Sequence, residues 1–188
     1  ATPGITNPTN GNWTNRDFSL TVTSSDSQSG ISYYQYSYDQ ANWTTYANSA
    51  SNRFVTTPFV VERNQLAYIR CVDKVGNISG VSSTYIRLDK TGPAKVTVDM
   101  HGYANGSWTN QDIRRTLNST DSASGIAYFE WGYDTNAVAG RCETDVTYSG
   151  EDTNGTYYYR AVDNVGNVGP WSDAYTRRID KTAPSKTT

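Results

Sequence analysis

Alternation of apolar and polar residues dominates the chain and predicts short β-strands. The segments 18–23 (FSLTVT) and 33–38 (YYQYSY) alternate with a period of two, as expected of a strand with one buried face. The segment 67–73 (AYIRCVD) alternates as well and places its alanine, isoleucine and cysteine on one face. No stretch combines a sustained helical period with capping residues. We therefore expect an all-β protein.

The pattern occurs twice along the chain. Residues 12–39 match residues 107–134 without a gap, and residues 68–77 (YIRCVDKVGN) match residues 158–167 (YYRAVDNVGN). The offset is 107 − 12 = 95 positions in the first match and 158 − 68 = 90 in the second. The second copy is therefore about five residues shorter between the two matches, and loops tolerate such a change in length.

Each copy has the features of a β-sandwich. About seven short strands in about 90 residues, separated by turn clusters of Gly, Asn, Asp and Ser, are typical of this architecture. The motif RLDKTGP at 87–93 returns as RIDKTAP at 178–184 and marks the end of each copy. We expect two tandem immunoglobulin-like or fibronectin-III-like β-sandwiches, residues 1–92 and 93–188, joined by a short, semi-rigid linker.

One pair of matched positions does not fit this scheme. Leu20 faces inward in the first copy, but its counterpart in the second copy is Arg115. An unpaired arginine in an apolar core is very unfavourable. We therefore expect either that the second copy shifts the register of this strand or that Arg115 reaches past the core edge to a carboxylate.

The shared motifs resemble a known group of domains. Both halves contain W-T-N, D-S-x-S-G-I, R-[AC]-V-D-x-V-G-N and D-K-T-x-P in that order. This pattern resembles the Ig-like repeat domains of secreted and cell-surface proteins of Gram-positive bacteria. The run R-A-V-D-x-V-G-N is also similar to the F strand and F–G turn of fibronectin type III domains. The resemblance implies an extracellular location, secreted or attached to the cell wall, and neighbouring repeats of the same kind.

Composition excludes several classes of function. The net charge is −2 and 18% of the 188 residues are charged, so no basic surface for nucleic acid is expected. No apolar run approaches the roughly 20 residues that a membrane helix needs, so we expect no membrane insertion. A single histidine and two cysteines, Cys71 and Cys142, leave little material for catalysis. The cysteines fall in different copies and are expected to be free. We predict that the protein is not an enzyme.

Repeated aspartates are the candidate metal ligands. Hard cations such as Ca²⁺ prefer several oxygen ligands, but these acids are spread singly along the chain, unlike those of a dedicated calcium loop. Aspartates in turns more often accept backbone N–H groups. We expect no cofactor, with Ca²⁺ as the less favoured alternative. The repeated pairs are Asp26 and Asp121, Asp39 and Asp134, Asp73 and Asp163, and Asp89 and Asp180.

Four aromatic residues are the candidate binding residues. Trp43 and Trp171 have no aromatic counterpart in the other copy, which favours a contact role because tryptophan is a common interface anchor. Tyr33 and Tyr128 are equivalent to each other and are expected to point outward from their sheets. In the alternative, all four side chains have a structural role and cover the polar faces of their own sheets or support the joint between the modules.

The functional hypothesis rests on the resemblance. It implies a non-enzymatic surface-protein segment, either an adhesin-like module that binds a host protein, such as an immunoglobulin or a mucin, or one that presents a binding region. The alternative is a spacer or carbohydrate-binding accessory module of a secreted carbohydrate-active enzyme. The expected partner is therefore a host extracellular protein or a glycan. A mixed patch of aromatic residues and arginine would favour a protein partner, and a planar row of exposed aromatic rings would favour a sugar.

Overall fold

A computed structural model describes residues 2–46 and 51–186, with residues 152–154 described by their backbone alone. The chain divides into two compact units, the first module (Ala1–Lys90) and the second module (Thr91–Thr188). The described residues form only strands, turns and loops, and none of them belongs to a helix that could cross a membrane.

The first module is a sandwich of two antiparallel sheets. The strand order is β1–β2–β5 in the three-stranded sheet and β4–β3–β6–β7 in the four-stranded sheet. Strands β4 and β5 are therefore terminal strands of their sheets. The strands are β1 (Gly4–Thr6), β2 (Thr21–Thr23), β3 (Ile31–Ser37), β4 (Thr44–Tyr46), β5 (Arg53–Val55), β6 (Arg63–Asp73) and β7 (Ser82–Leu88).

The second module repeats this topology. Its sheets have the order β8–β9–β12 and β11–β10–β13–β14, again antiparallel throughout. The common strand order confirms the predicted pair of fibronectin-III-like β-sandwiches. The strands are β8 (Thr97–Asp99), β9 (Ile113–Asn118), β10 (Ile126–Gly132), β11 (Gly140–Cys142), β12 (Asp145–Tyr148), β13 (Asp152–Asp163) and β14 (Tyr175–Ile179).

The alternation along the long central strands determines which side chains form the cores. In β6, Ala67, Ile69 and Cys71 are buried, as predicted from the alternating pattern. In β13, the equivalent positions Tyr159 and Ala161 are buried in the same way. These strands lie in the middle of their sheets, so one face of each packs into the core between the two sheets.

A β-bulge occurs at the same place in both modules. The pairing of β3 with β6 shifts register between Ile31 and Tyr33, and that of β10 with β13 shifts between Ile126 and Tyr128. A bulge inserts one residue and changes which face the following residues occupy. Ile31 and Tyr34 consequently both lie in the core, although they are three positions apart.

The D-x-V-G-N motif forms the turn after the sixth strand of each module. The Asp73 carboxylate accepts hydrogen bonds from the backbone N–H groups of Val75 (2.9 Å) and Asn77 (2.8 Å) and from the Asn77 amide (2.7 Å). Asp163 holds the second turn in the same way. Gly76 has φ = 95°, a conformation that strains any residue with a Cβ. The motif is therefore explained by turn geometry.

Candidate functional site

An open cleft lies between the two sheets of the first module, beside the terminal strands β4 and β5. It has a volume of about 300 Å³, which is at the lower end of the range for ligand pockets. A cavity of about 150 Å³ already holds a benzene molecule, so the cleft has room for one large apolar side chain. Its lining residues are Leu20, Gln35, Tyr36, Tyr38, Tyr46, Phe54, Thr56, Thr57, Pro58, Phe59, Val60, Val61, Arg63, Ala67, Ile69 and Ile86.

The floor of the cleft is aliphatic. Leu20, Ala67, Ile69 and Ile86 line it and are each at least 97% buried. Ala67, Ile69 and Ile86 come from β6 and β7 of one sheet, and Leu20 directly precedes β2 of the other, so both sheets contribute. Apolar surface of this kind gains free energy when another apolar group displaces water from it.

The walls of the cleft are aromatic. The ring of Tyr46 on β4 lies 5.1 Å from that of Phe54 on β5, between centroids, and 5.6 Å from that of Tyr36 on β3. The Tyr46 hydroxyl also accepts a hydrogen bond from the backbone N–H of Thr57 (3.3 Å). These contacts fix the two terminal strands beside the opening.

Arg63 lies at the rim and carries the charge of the cleft. Its Nη1 donates to the Tyr38 hydroxyl (2.9 Å), and its guanidinium carbon lies 5.8 Å from the ring centroids of both Tyr38 and Phe59. Within residues 2–46 and 51–186, Arg63 forms no ion pair with a carboxylate. Val60 and Val61 on the same rim are 53% and 65% exposed.

The second module fills the equivalent space with larger side chains. The matched segments place Arg115 at the position of Leu20, Tyr157 at that of Ala67 and Arg177 at that of Ile86. The Arg177 guanidinium carbon lies 4.1 Å from the centroid of the Tyr157 ring. Tyr159 likewise replaces Ile69. All four small or aliphatic residues of the floor are thus tyrosine or arginine in the second copy.

Arg115 contradicts both sequence-based expectations for its position. The strand keeps its register, because Ile113, Arg115 and Leu117 are all 1% exposed and face the core. The side chain also reaches no carboxylate in residues 2–46, 51–151 and 155–186. Its Nε donates to the Tyr148 hydroxyl (3.0 Å) and its Nη2 to the Glu143 carbonyl (3.1 Å). Among the side chains and backbone that the structure describes, Nη1 has no hydrogen-bond partner.

Aromatic rings take the place of a counter-ion for this arginine. The Arg115 guanidinium carbon lies 4.8 Å from the Tyr159 ring centroid and 5.9 Å from the Tyr148 ring centroid. The guanidinium carbon of Arg177 lies 3.4 Å from the Tyr148 ring centroid. Burial raises the pKa of the Tyr159 hydroxyl well above its usual value, and the two guanidinium groups oppose only part of that effect. Tyr159 stays neutral, so the interaction is a cation–π contact.

The two unmatched tryptophans contact equivalent arginines. The Arg70 guanidinium carbon lies 4.0 Å from the Trp43 ring centroid, and that of Arg160 lies 4.5 Å from the Trp171 ring centroid. Arg70 and Arg160 occupy matched positions on β6 and β13, whereas the tryptophans come from different loops. Each tryptophan is half-buried. An arginine therefore covers one face of each ring.

Tyr33 and Tyr128 follow the bulge and are both half-buried. Tyr128 lies under Arg141, whose guanidinium carbon is 3.6 Å from the ring centroid, and it borders a second cavity of about 650 Å³. None of the four predicted residues lines the cleft of the first module. Their role in binding stays a prediction.

Cys142 also borders the second cavity. Burial raises the pKa of its thiol above the usual value, and the neighbouring Arg115 opposes only part of this shift. The thiol is therefore protonated at neutral pH, and a protonated thiol is a poor nucleophile. Cys71 is free and buried, and its sulfur lies 3.2 Å from the Ser24 hydroxyl.

The first pair of repeated aspartates accepts hydrogen bonds within its own turns. Asp26 accepts the backbone N–H of Gln28 (2.8 Å) and the hydroxyl of Ser29 (3.0 Å), and Asp121 accepts two backbone N–H groups at 2.7 and 3.1 Å. This is the turn chemistry that the sequence favoured over a metal. Calcium binding stays a prediction.

Asp39 is expected to remain ionised in acid. The backbone and side-chain N–H groups of Asn42, the Ser37 hydroxyl and the Ala41 N–H hold the pKa of its carboxyl well below 3.8. A carboxyl group whose pKa is lowered by folding stabilises the folded state at pH values above its ordinary pKa. This contribution is lost only as the pH falls through the lowered pKa.

We expect the Asp39 carboxyl carbon resonance to be unchanged from pH 7 to pH 3. In an Asn42→Ala control it should begin to titrate in that range, and titration of the unmodified protein near pH 4 would contradict the hydrogen bonding.

The cleft was not predicted from the sequence. The signal was nevertheless present, because the matched segments differ sharply in size and polarity at Leu20 and Arg115 and at Ala67 and Tyr157. Two such changes on facing strands indicate that one module fills a space that the other leaves open.

Comparisons with known proteins find similarity of structure but not of sequence. No protein-family model matches the chain, and no curated protein matches it either. The chain is similar to fibronectin(III)-like modules of Clostridium thermocellum CbhA, with a TM-score of 0.36, 15% identity, and coverage of 94% of this chain and 93% of that one.

Two further structures are similar over most of the chain. Domains from titin match with a TM-score of 0.47, 15% identity, and coverage of 92% of this chain and 65% of that one. The Bacteroides ovatus protein SGBP-B, solved in complex with a mixed-linkage heptasaccharide, matches with a TM-score of 0.27, 14% identity, and coverage of 96% and 45%. At these values the assignment to the fibronectin-III-like fold rests on the strand order of the two modules.

Proposed function

We propose that the chain is a pair of extracellular binding modules in which the first module holds a protein partner through its cleft. The observation that carries this proposal is the cleft itself, which is open in the first module and filled at four matched positions in the second. A spacer role alone gives no reason for this difference between the copies.

The composition of the cleft favours a protein partner over a glycan. Its volume suits a single side chain, and its aromatic walls stand at 37° and 66° to one another at Tyr46, so they offer no planar platform for a sugar ring. Arginine beside aromatic residues is a common composition of interface hot spots. Complete burial of one leucine or phenylalanine side chain contributes about 1.5–3 kcal/mol.

The finer identity of the partner belongs to this proposal. An adhesin-like role, with a host extracellular protein such as an immunoglobulin or a mucin as the partner, is supported by the resemblance of both copies to Ig-like repeats of bacterial surface proteins. The same resemblance supports a secreted or wall-attached location.

Filling the cleft should abolish binding. The variant Ala67→Tyr introduces the residue that the second module has at this position, and Tyr36 and Tyr38 stand where Trp131 and Tyr133 flank Tyr157, at 5.9 Å between centroids. The added ring is therefore expected to fit. The full chain, immobilised and exposed to serum and mucosal secretions, should capture a saturable partner that mass spectrometry identifies. We expect Ala67→Tyr to reduce this capture at least tenfold, which is 1.4 kcal/mol.

Trp43→Ala serves as the matched control, because Trp43 lies outside the cleft on the same module. The Trp43→Ala variant should capture as much partner as the unmodified chain. Loss of capture in Trp43→Ala but not in Ala67→Tyr would transfer the binding role to the predicted aromatic residues. Thermal unfolding of each variant establishes that the folded state persists.

A further inference from the structure

We infer that the cleft recognises an extended peptide segment in which an apolar side chain is followed, two residues later, by an acidic one: the apolar group enters the cleft and the carboxylate binds Arg63. This inference rests on the proposed function and specifies the chemistry of the partner.

The unpaired charge of Arg63 is the first argument. A guanidinium has five N–H donors, and in the described residues only one hydrogen bond, to the Tyr38 hydroxyl, uses them. Two arginines of the described chain form ion pairs with acids, Arg160 with Glu130 and Arg114 with Asp145, and Arg63 lacks such a partner among the described residues. Arg63 is half-buried between two rings, where a carboxylate can form a bidentate, charge-assisted pair with it.

The second argument is the position of this charge relative to the apolar floor. Arg63 and Ala67 both lie on β6 and both line the cleft, so the guanidinium and the apolar floor belong to the same opening. An apolar occupant alone would leave the cation without a counter-charge. Complementarity therefore selects an occupant that combines an apolar group with an anion.

The third argument concerns the shape of the segment. The cleft opens beside β4 and β5, which are terminal strands, each with one edge unpaired among the described residues, and an extended chain can lie along such an edge. In an extended chain, residues two apart point to the same side and lie about 7 Å apart. At this spacing, a leucine side chain would contact the apolar floor while the aspartate carboxylate binds Arg63 at the rim.

The test uses two peptides and the full chain. The first is acetyl-Ser-Thr-Leu-Ser-Asp-Thr-Ser-amide, and the second has asparagine in place of the aspartate. Blocked ends remove terminal charges, so an acidic side chain is the only anion. Methyl-resolved NMR of Leu20, Ile69 and Ile86 reports entry into the cleft, and titration gives the dissociation constant.

We expect the aspartate peptide to bind at least tenfold more tightly than the asparagine peptide. In the variant Arg63→Gln this preference should disappear, because the aspartate peptide then has no cation to pair with. Arg63→Lys, which retains the charge but loses the planar fork, should keep part of the preference. Added salt should weaken binding of the aspartate peptide only.

Several outcomes would overturn the inference. Equal affinity for the two peptides, or equal weakening of both by Arg63→Gln, would show that the cleft takes a neutral apolar group; the proposed function would then stand as long as Ala67→Tyr still abolishes partner capture. Methyl shifts with cellopentaose but with neither peptide would make the occupant a sugar and would contradict both proposals. The absence of any peptide shift would overturn the inference alone, because partner capture tests the proposed function separately.

Discussion

Exchange of the residues at positions 20 and 115, which are matched in the two copies, should destabilise the first module much more than the second. Leu20→Arg is expected to destabilise the first module by about 3 kcal/mol, because a buried cation without partners costs that much or more. The position of Tyr159, which stacks on Arg115 in the second module, is occupied by Ile69 in the first. The new guanidinium would therefore lack the aromatic partner that makes Arg115 tolerable.

The reverse change, Arg115→Leu, should alter the stability of the second module by no more than about 1 kcal/mol. Replacement of a buried charge by an apolar residue of similar size is often neutral or stabilising. Against this gain, the Tyr148 hydroxyl and the Glu143 carbonyl each lose a donor.

Hydrogen-exchange mass spectrometry measures the two modules separately within the full chain. Leu20→Arg should reduce protection in β2 and β6 and leave β9 and β13 unchanged, whereas Arg115→Leu should change protection little anywhere. Equal destabilisation by the two substitutions would contradict the assigned role of the aromatic partners.

Truncation of Tyr34 should have the largest effect on stability. Tyr34 is completely buried, its ring centroid lies 4.6 Å from that of Phe54, and its hydroxyl donates to the Ser51 carbonyl (3.3 Å). Tyr34→Ala is expected to cost about 3–5 kcal/mol, since it removes a large aromatic group from a packed core. The first module alone should lose this stability.

Tyr34→Phe is the control for this prediction, because it removes only the hydroxyl and its hydrogen bond. It should cost about 1 kcal/mol. Denaturant unfolding, followed by NMR signals assigned to each module, gives the two values. A cost below about 1 kcal/mol for Tyr34→Ala would mean that β3 does not direct this residue into the core.

Strand periodicity and turn chemistry determine most of the fold, and both can be read from the chain. Alternation in β6 correctly indicated which side chains are buried, because each strand residue points to the opposite face from its neighbours. The D-x-V-G-N motif correctly indicated a turn. The bulge after Ile31 was not predicted, since the hydrophobic pattern alone does not show where an extra residue enters a ladder.

The candidate site depends on packing between strands that are far apart in the chain. Leu20 and Ala67 belong to different sheets and line the same cleft, and neither residue by itself indicates a cleft. Arg115 illustrates this dependence: the sequence predicted either a register shift or a carboxylate partner, but tyrosine rings and a carbonyl surround the side chain instead. Such partners become visible only when the strands are assembled.

Entry of benzene into the cleft tests the central claim most directly. Methyl-resolved NMR of the full chain, titrated with benzene, should show saturable shifts of Leu20, Ile69 and Ile86, and none of Ile113 or Ile179 in the core of the second module. Ala67→Tyr should abolish the shifts. Shifts of Ile113 and Ile179 as large as those of the cleft residues, or no shift in the first module, would contradict the account of a cleft that is open in one copy and filled in the other.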